Sequence, residues 1–368
     1  MSTKKDKFNS NDTIFMRLAL NLARSRRGLT GQNPSVGCVI VKENKIISIG
    51  QTNYGGRPHA EFNAINNSIE NLEGSKMYVS LEPCSHYGKT PPCTNLIINK
   101  GIREVFYPIN DIDEKVKGKT FNILKKNNIK VFKGILKDEA KILYHPYTIN
   151  RKNEMPYVTG KIAITKNKLL YIEGTKRITD KISDTLTHFL RLKNDGIMIS
   201  GKTLNIDNPK LNCRLKGYER FSPKRIILDK NLEIKFTTYI FKTANKKNTI
   251  IFHNSSDNFK INILKKKGIQ LIKFNFANNN SINLKKILKK IYKLGVRNLL
   301  VEGGDRITKS FIKYRLFNLF YLFKSTKIGS IKNKHIIFTS QNLLDIKYNL
   351  ISKKNSKLFK DYIKVYKR

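Results

Sequence analysis

Three side chains suited to a soft metal, and one carboxylate, stand in a tight order: His59-Ala60-Glu61, then Pro83-Cys84, then Cys93. One imidazole and two thiolates can hold a zinc ion and leave a fourth position for water. Bound zinc lowers the pKa of such a water from about 15.7 toward about 7. Glu61, two residues past His59, would lie near the metal without ligating it. A carboxylate there can take the water's proton and deliver it to a departing amine. His86 falls between the cysteines and has two readings, a competing ligand or, preferably, a substrate contact. Cys38 sits in an apolar run and reads as core.

The elements around these residues must bring them together. Residues 1–11 read as a mobile tail. A helix follows to about Arg27, capped by Asp12, with Ile14, Phe15, Leu18, Leu22 and Ala23 on its buried side. VGCVIVKENKIISIG reads as two strands about a Glu43-Asn44 turn. A helix from His59 to about Ser68, the strand SKMYVSLEP, the helix TNLIINKG closed by Gly101 and the strand REVFYPI follow. KTFNILKKNNIKV repeats helix then strand. This alternation predicts a three-layer α/β/α domain over residues 12–150. Pro146 and Pro156 mark the boundary region. A second α/β domain is expected over residues 151–368, with the end of the chain strand-rich.

The order His-x-Glu then Pro-Cys matches the zinc deaminase pattern H-x-E…P-C-x-x-C, with one departure. Eight residues, not two, separate Cys84 from Cys93. Such a spacing needs a loop that leaves a strand and returns at a helix start, and Gly88, Pro91 and Pro92 suit it. Pro92 also fits a helix first turn, where the dipole favours a thiolate at Cys93.

At EPCSHYGKTPPC the sequence resembles the bacterial bifunctional deaminase–reductases of riboflavin biosynthesis, with support from NPSVGCVIV at 33–41 and Pro58-His59-Ala60-Glu61. The resemblance implies a cytidine-deaminase-like fold with His59, Cys84 and Cys93 on zinc and Glu61 as proton shuttle. It also implies that Asn33, His86 and Lys89 hold a diamino-hydroxy-pyrimidine bearing a phosphoribosylamino arm. From its residue type alone, Asn33 can offer donor and acceptor to a heterocycle, or can be an ordinary turn residue before Pro34. Lys89 can be a phosphate contact or a solvated lysine.

In the second half the resemblance is to the family's dihydrofolate-reductase-like domain. It rests on PYV at 156–158, KIA at 161–163, Arg191, the run Thr203, Asp207, Pro209, Leu211, Arg214, and Glu302-Gly303-Gly304. It implies NADPH as cofactor at Lys161, Ile164, Arg177, Thr203, Asp207, Gly303 and Gly304. It implies substrate contacts at Thr175, Arg191, Leu211, Arg214 and Glu302, with Arg191 and Arg214 clamping the phosphate through forked donors. Gly303-Gly304 after NLLVE allows close backbone approach to a phosphate, or makes an ordinary turn. No G-x-G-x-x-G fingerprint is present. Three departures stand out: Thr165-Lys166-Asn167-Lys168 where the family has Ser-Leu-Asp-Gly, Arg177 in place of an aromatic, and Asn208 in place of an Asp.

The chain has 368 residues, four cysteines and a formal net charge of +45. The cysteine count excludes a disulfide framework and fits a reducing cytoplasm. No apolar run is long enough for a membrane span and no secretory leader is legible. Lys, Asn and Ile are abundant in every segment, so the charge reads as compositional drift rather than a specific nucleic-acid surface. The function that the resemblance implies is deamination followed by reduction of the ribosyl group to ribityl, in a homo-oligomer. A deaminase with a degenerate reductase module and an RNA-editing protein remain the alternatives. The long Cys-to-Cys loop argues against RNA editing.

Overall fold

The computed structural model describes residues 8–170, 178–276, 281–329, 337–354 and 361–368. Two compact units divide it, Met1–Glu154 and Met155–Arg368.

In the first unit α1 (Ser10–Arg26) leads into the hairpin β1 (Gly37–Lys42) and β2 (Lys45–Gln51). Then come α2 (Ala60–Asn66), β3 (Lys76–Val79), α3 (Cys93–Asn99), β4 (Glu104–Tyr107), α4 (Lys119–Lys126), β5 (Lys130–Lys133) and α5 (Lys137–Asn153). Among the described residues the strands form one sheet in the order β2-β1-β3-β4-β5. β1 is antiparallel to both neighbours, and β3, β4 and β5 run parallel. Glu43 and Asn44 both take positive φ, the geometry of a tight two-residue hairpin turn. Met16, Leu20, Val39, Ile40, Met77, Val79, Ile97 and Val105 fill the core between helices and sheet. Cys38 is fully buried there, as expected of a core residue.

Three expectations are corrected here. Asn9, not Asp12, caps α1; the two close a reciprocal capping box, and Asp12 is a buried first-turn residue that accepts the Tyr78 hydroxyl at 2.6 Å. Ile14 is exposed rather than buried, because Phe15, Met16, Ala19, Leu20 and Ala23 make the inward face. Pro146 does not break the chain but lies inside α5. That helix runs through the expected boundary at 150, and the units part after Glu154.

The second unit begins with β6 (Tyr157–Ile164), α6 (Lys181–Leu192), β7 (Gly196–Ser200), α7 (Gly201–Asp207) and β8 (Lys224–Leu228). It continues with α8 (Tyr239–Lys242), β9 (Thr249–His253), α9 (Asn258–Lys266), β10 (Gln270–Lys273), α10 (Ser281–Lys293), β11 (Asn298–Val301) and α11 (Asp305–Lys313). It closes with β12 (Leu319–Lys324), α12 (Gln341–Lys347), β13 (Asn349–Lys354) and β14 (Tyr362–Lys367). Its described strands order as β10-β9-β8-β7-β11-β6-β12-β14-β13. The run from β10 to β12 is parallel, and β14 and β13 extend it antiparallel. In such sheets ligands gather beyond the carboxyl ends of the strands. Those ends here are Ile164, Ser200 and Val301, next to the residues singled out by sequence.

Candidate active sites

Two helix starts and one loop build the metal site. His59 is the N-cap of α2, Cys93 is the first residue of α3, and Cys84 lies in the loop after β3. Close packing of α2 on the sheet requires Gly50: a Cβ there would meet the Ala60 carbonyl at 2.2 Å. His59 Nδ1 lies 3.5 Å from Cys84 Sγ and 3.5 Å from Cys93 Sγ. The three ligand atoms all fall within 4.8 Å of one another. Tetrahedral bonds of about 2.3 Å to sulfur and about 2.05 Å to nitrogen would separate N and S by about 3.6 Å. The donor set and its spacing therefore fit zinc. His86 is not a member of this cluster.

The surroundings prepare the thiols for a cation. The Cys93 backbone N–H donates to Cys84 Sγ at 3.3 Å, and the Thr94 N–H donates to the Cys84 carbonyl at 3.2 Å. The Cys84 thiol is lowered to about 4, first by hydrogen bonding from Cys93 and then by His59. Cys93, hydrogen bonded to that sulfur and buried, is pushed up. One negative charge is thus favoured between the two sulfurs, and a dication would draw out the second proton. Glu61 is 3% exposed, and burial raises its carboxyl to about 6.

Glu82 holds the loop. Its carboxylate accepts the backbone N–H of Asp111 (3.0 Å), Gly118 (3.0 Å) and Thr120 (3.3 Å), while Thr120 Oγ1 donates to the Pro83 carbonyl at 2.7 Å. Its place just before Pro83-Cys84 was the available signal, but nothing in the sequence showed which amides it would meet. Arg57 was also missed; it donates to Thr90 Oγ1 in the Cys-to-Cys loop. Asn33 Nδ2 donates to the Gly56 carbonyl at 2.8 Å, which fixes the amide and leaves Oδ1 for another partner. His86 is half-buried, with Nδ1 enclosed and unpartnered, and Lys89 is exposed.

In the second unit Arg191 and Glu302 come together from α6 and the end of β11. Arg191 Nε and Nη2 each donate to a Glu302 oxygen at 2.8 Å, and Nη1 donates to the Asn212 carbonyl at 3.1 Å. The fork of Arg191, expected to meet a phosphate, holds the Glu302 carboxylate in this structure. Burial opposes an ionised Glu302, but the Arg191 charge and hydrogen bonds hold its carboxyl below the usual range. Burial lowers the ammonium pKa of Lys161, against the pull of the Glu302 charge, and its Nζ lies 5.0 Å from the Phe323 ring centre. Arg214 is exposed, and its Nη1 donates to Asn212 Oδ1 at 3.0 Å. Leu211 is buried at φ 52°.

Gly303 and Gly304 close β11 onto α11. A Cβ on Gly303 would meet Ile307 Cγ2 at 1.8 Å, and one on Gly304 would lie 3.4 Å from Thr203 Oγ1. Gly304 caps α11 with no side-chain hydrogen bond, so the first-turn amides fit an anionic group such as a nucleotide phosphate. Asp305, in that turn, is engaged by Thr339 and Ser340. Asp207 is exposed at the end of α7. The Ile164 side chain is fully buried in the core, which leaves its backbone, at the carboxyl end of β6, to meet a cofactor. Thr175 and Arg177 lie outside the described residues.

The departures around 165–168 and 208 keep their turns. Thr165 Oγ1 donates to Asn167 Oδ1 at 2.6 Å, and Asn167 pairs with the Gly329 backbone through both amide atoms. Lys168 adopts φ 66°, the conformation a glycine takes more freely. Asn208 takes φ 41°, which Asn tolerates, and accepts the Tyr239 N–H at 2.7 Å.

Comparison with known proteins covers both units. Residues 9–109 match the cytidine and deoxycytidylate deaminase zinc-binding region, and residues 163–361 match the RibD C-terminal domain. The riboflavin biosynthesis protein RibD of Aquifex aeolicus is 37% identical over 319 residues, 86% of this chain and 87% of that protein. The chain belongs to this bifunctional deaminase–reductase family. Its Bacillus amyloliquefaciens member is 33% identical over 86% of this chain and 85% of its own length. A Thermotoga maritima structure, a diaminohydroxyphosphoribosylaminopyrimidine deaminase/5-amino-6-(5-phosphoribosylamino)uracil reductase, aligns with a TM-score of 0.81 at 28% identity. The alignment covers 97% of this chain and 98% of that one. The second unit has the family's dihydrofolate-reductase-like fold. Among the described residues no helix is long and apolar enough to cross a membrane.

Proposed function

We propose that this chain deaminates 2,5-diamino-6-(5-phosphoribosylamino)pyrimidin-4-one at the first unit and reduces the product's ribosyl group to ribityl with NADPH at the second. The observation that carries this reading is the convergence of His59, Cys84 and Cys93 beside buried Glu61, in a chain whose two halves match the family's two domains. Zinc held by the three ligands supplies the means to activate water. Glu61 moves the proton from that water to the leaving amine. Asn33, its amide already oriented by Gly56, receives the pyrimidine edge; His86 and Lys89 receive the phosphoribosyl arm.

In the second unit NADPH supplies the reducing equivalents. Gly303, Gly304, Thr203 and Asp207 receive it together with the Ile164 backbone, and the family resemblance adds Arg177 to this set. Glu302, Arg191, Arg214 and Leu211 receive the substrate, and the family resemblance adds Thr175 to them and Lys161 to the cofactor set. Hydrogen-bonded turns at Asn167-Lys168 and Asn208 support an active reductase over a degenerate one. A cytoplasmic homo-oligomer acting on a small molecule, without specific nucleic-acid binding, completes the reading.

The test is to incubate the purified chain with the diaminopyrimidine substrate, with and without NADPH, and to weigh the products. Amine replaced by oxygen without NADPH, and two further hydrogens with it, is the expected result. No mass change in either arm would overturn the reading. Deamination alone would leave the first unit's role and remove the second's.

A further inference from the structure

Helix α6 presents His188 and Arg191 to one short stretch of chain, residues 212–214. Residues three apart on a helix share a face. Arg191 Nη1 donates to the Asn212 carbonyl at 3.1 Å, and His188 Nδ1 accepts the Arg214 backbone N–H at 3.2 Å. Between them Cys213 donates its N–H to Ser222 Oγ at 3.1 Å, and its Sγ lies 3.7 Å from the His188 carbonyl. The main chain of Arg214 is thereby fixed from α6, while the guanidinium extends to the exposed side.

Accepting that N–H requires a bare Nδ1. His188 is 5% exposed and faces Arg214, Arg191, Asp184 and Glu302. Burial first, then the two guanidinium charges, lower its pKa to about 4. The ring therefore stays neutral near physiological pH and keeps its acceptor.

We propose that His188 is a positioning residue of the reductase, holding the Arg214 main chain so that the Arg214 guanidinium meets the phosphate of the substrate. The inference rests on the reductase reading of this unit. It assigns His188 no contact with the reacting atoms.

The test combines His188→Ala and His188→Asn with Arg214→Ala, following NADPH oxidation with the deaminated pyrimidine as substrate. His188→Ala should raise the KM for the pyrimidine about tenfold, the scale of one lost hydrogen bond in a buried setting. The KM for NADPH should not move. His188→Asn places an amide oxygen where Nδ1 sat and should recover most of the loss. In the Arg214→Ala background, His188→Ala should add nothing, since both act through one group. An equal KM increase in that background would overturn the proposal, as would a matching rise in the KM for NADPH. So would a folded His188→Asn variant as impaired as His188→Ala. Nitrogen-15 NMR of the imidazole reads the contact without activity: Nδ1 should be unprotonated at pH 6, and a protonated Nδ1 would refute the role. A wild-type chain that oxidises no NADPH would instead sink the reductase reading and the proposal with it. That result differs from failure of His188 alone, in which wild-type reduction stays intact.

Discussion

The metal cluster and the Arg191–Glu302 cluster are both gatherings of charged or ionisable groups at the ends of helices and strands, yet they are finished differently. His59, Cys84 and Cys93 have their ligand atoms turned inward on one another, with a backbone amide on one sulfur and a buried carboxylate alongside. Their partner has to be a cation. In the second unit the buried guanidinium already has a carboxylate in a two-pronged bond at 2.8 Å. A residue's type and spacing thus announce what it could bind, but only the folded contacts show which of its hydrogen-bonding positions are already taken.

The largest effect should come from the first cluster. Glu61→Gln keeps the ligands but removes the group that shuttles the proton, so deamination should fall about 10²–10⁴-fold with zinc retained. Mass spectrometry of product and metal analysis check the two halves of that statement. NADPH-dependent reduction of supplied deaminated intermediate should be unchanged; a parallel loss would blur the contrast between the units.

Glu302→Gln is the corresponding break in the second cluster. It leaves Arg191 charged and buried without its anion, a defect that costs about 3–5 kcal/mol. Thermal unfolding should shift down accordingly and reduction should collapse, while the zinc content stays at one ion per chain. An unfolding midpoint equal to wild type would mean that water or another anion replaces the carboxylate.

Asp195 gives a smaller, pH-dependent effect. Burial raises its carboxyl to about 6, against the hydrogen bonds it accepts from the Arg297 and Asn298 amides. A folded value above the unfolded one means that the folded chain retains a proton which the unfolded chain gives up between about pH 4 and 6. The Asp195 contribution to stability therefore falls as pH rises through that window. Asp195→Asn should remove this component, so the variant should gain on wild type from pH 4 to pH 6 in denaturant titrations. A stability difference that stays constant across the window would remove the burial argument.

Much of the first unit was readable because its signals are local. The hairpin turn, the helix after His59 and the return at Pro92-Cys93 each follow from a few adjacent residues. Pro146 misled because a proline's effect on a helix depends on what the rest of the helix packs against: Ala140, Leu143 and Tyr144 are buried, and α5 continues through it. Asp12 misled because its neighbour Asn9 competes for the same cap and wins. In the second unit Arg191, Glu302 and Gly303 were placed correctly along the chain. Their relation was not legible, since Glu302 lies 111 positions beyond Arg191 and nothing local records the pairing. At Ile164 the alternation along β6 turns the side chain into the core, which a motif position alone does not reveal.

The smallest effect tests whether the second unit's departures are losses or substitutions. Lys168 occupies a left-handed position at φ 66°, donates its N–H to Thr165 at 3.0 Å and ends a turn that Asn167 ties to Gly329. A side chain there costs about 1 kcal/mol relative to glycine, partly returned because glycine loses more backbone freedom on folding. Lys168→Gly should therefore stabilise the chain by about 0.5 kcal/mol and leave reduction intact. The turn's shape is already supplied by Thr165 and Asn167, so glycine would only relieve its backbone. If reduction instead rose severalfold, the lysine would be a real impairment. The contrast between a fully equipped first unit and a merely rewritten second one would then have to be redrawn as one between an intact and a weakened site.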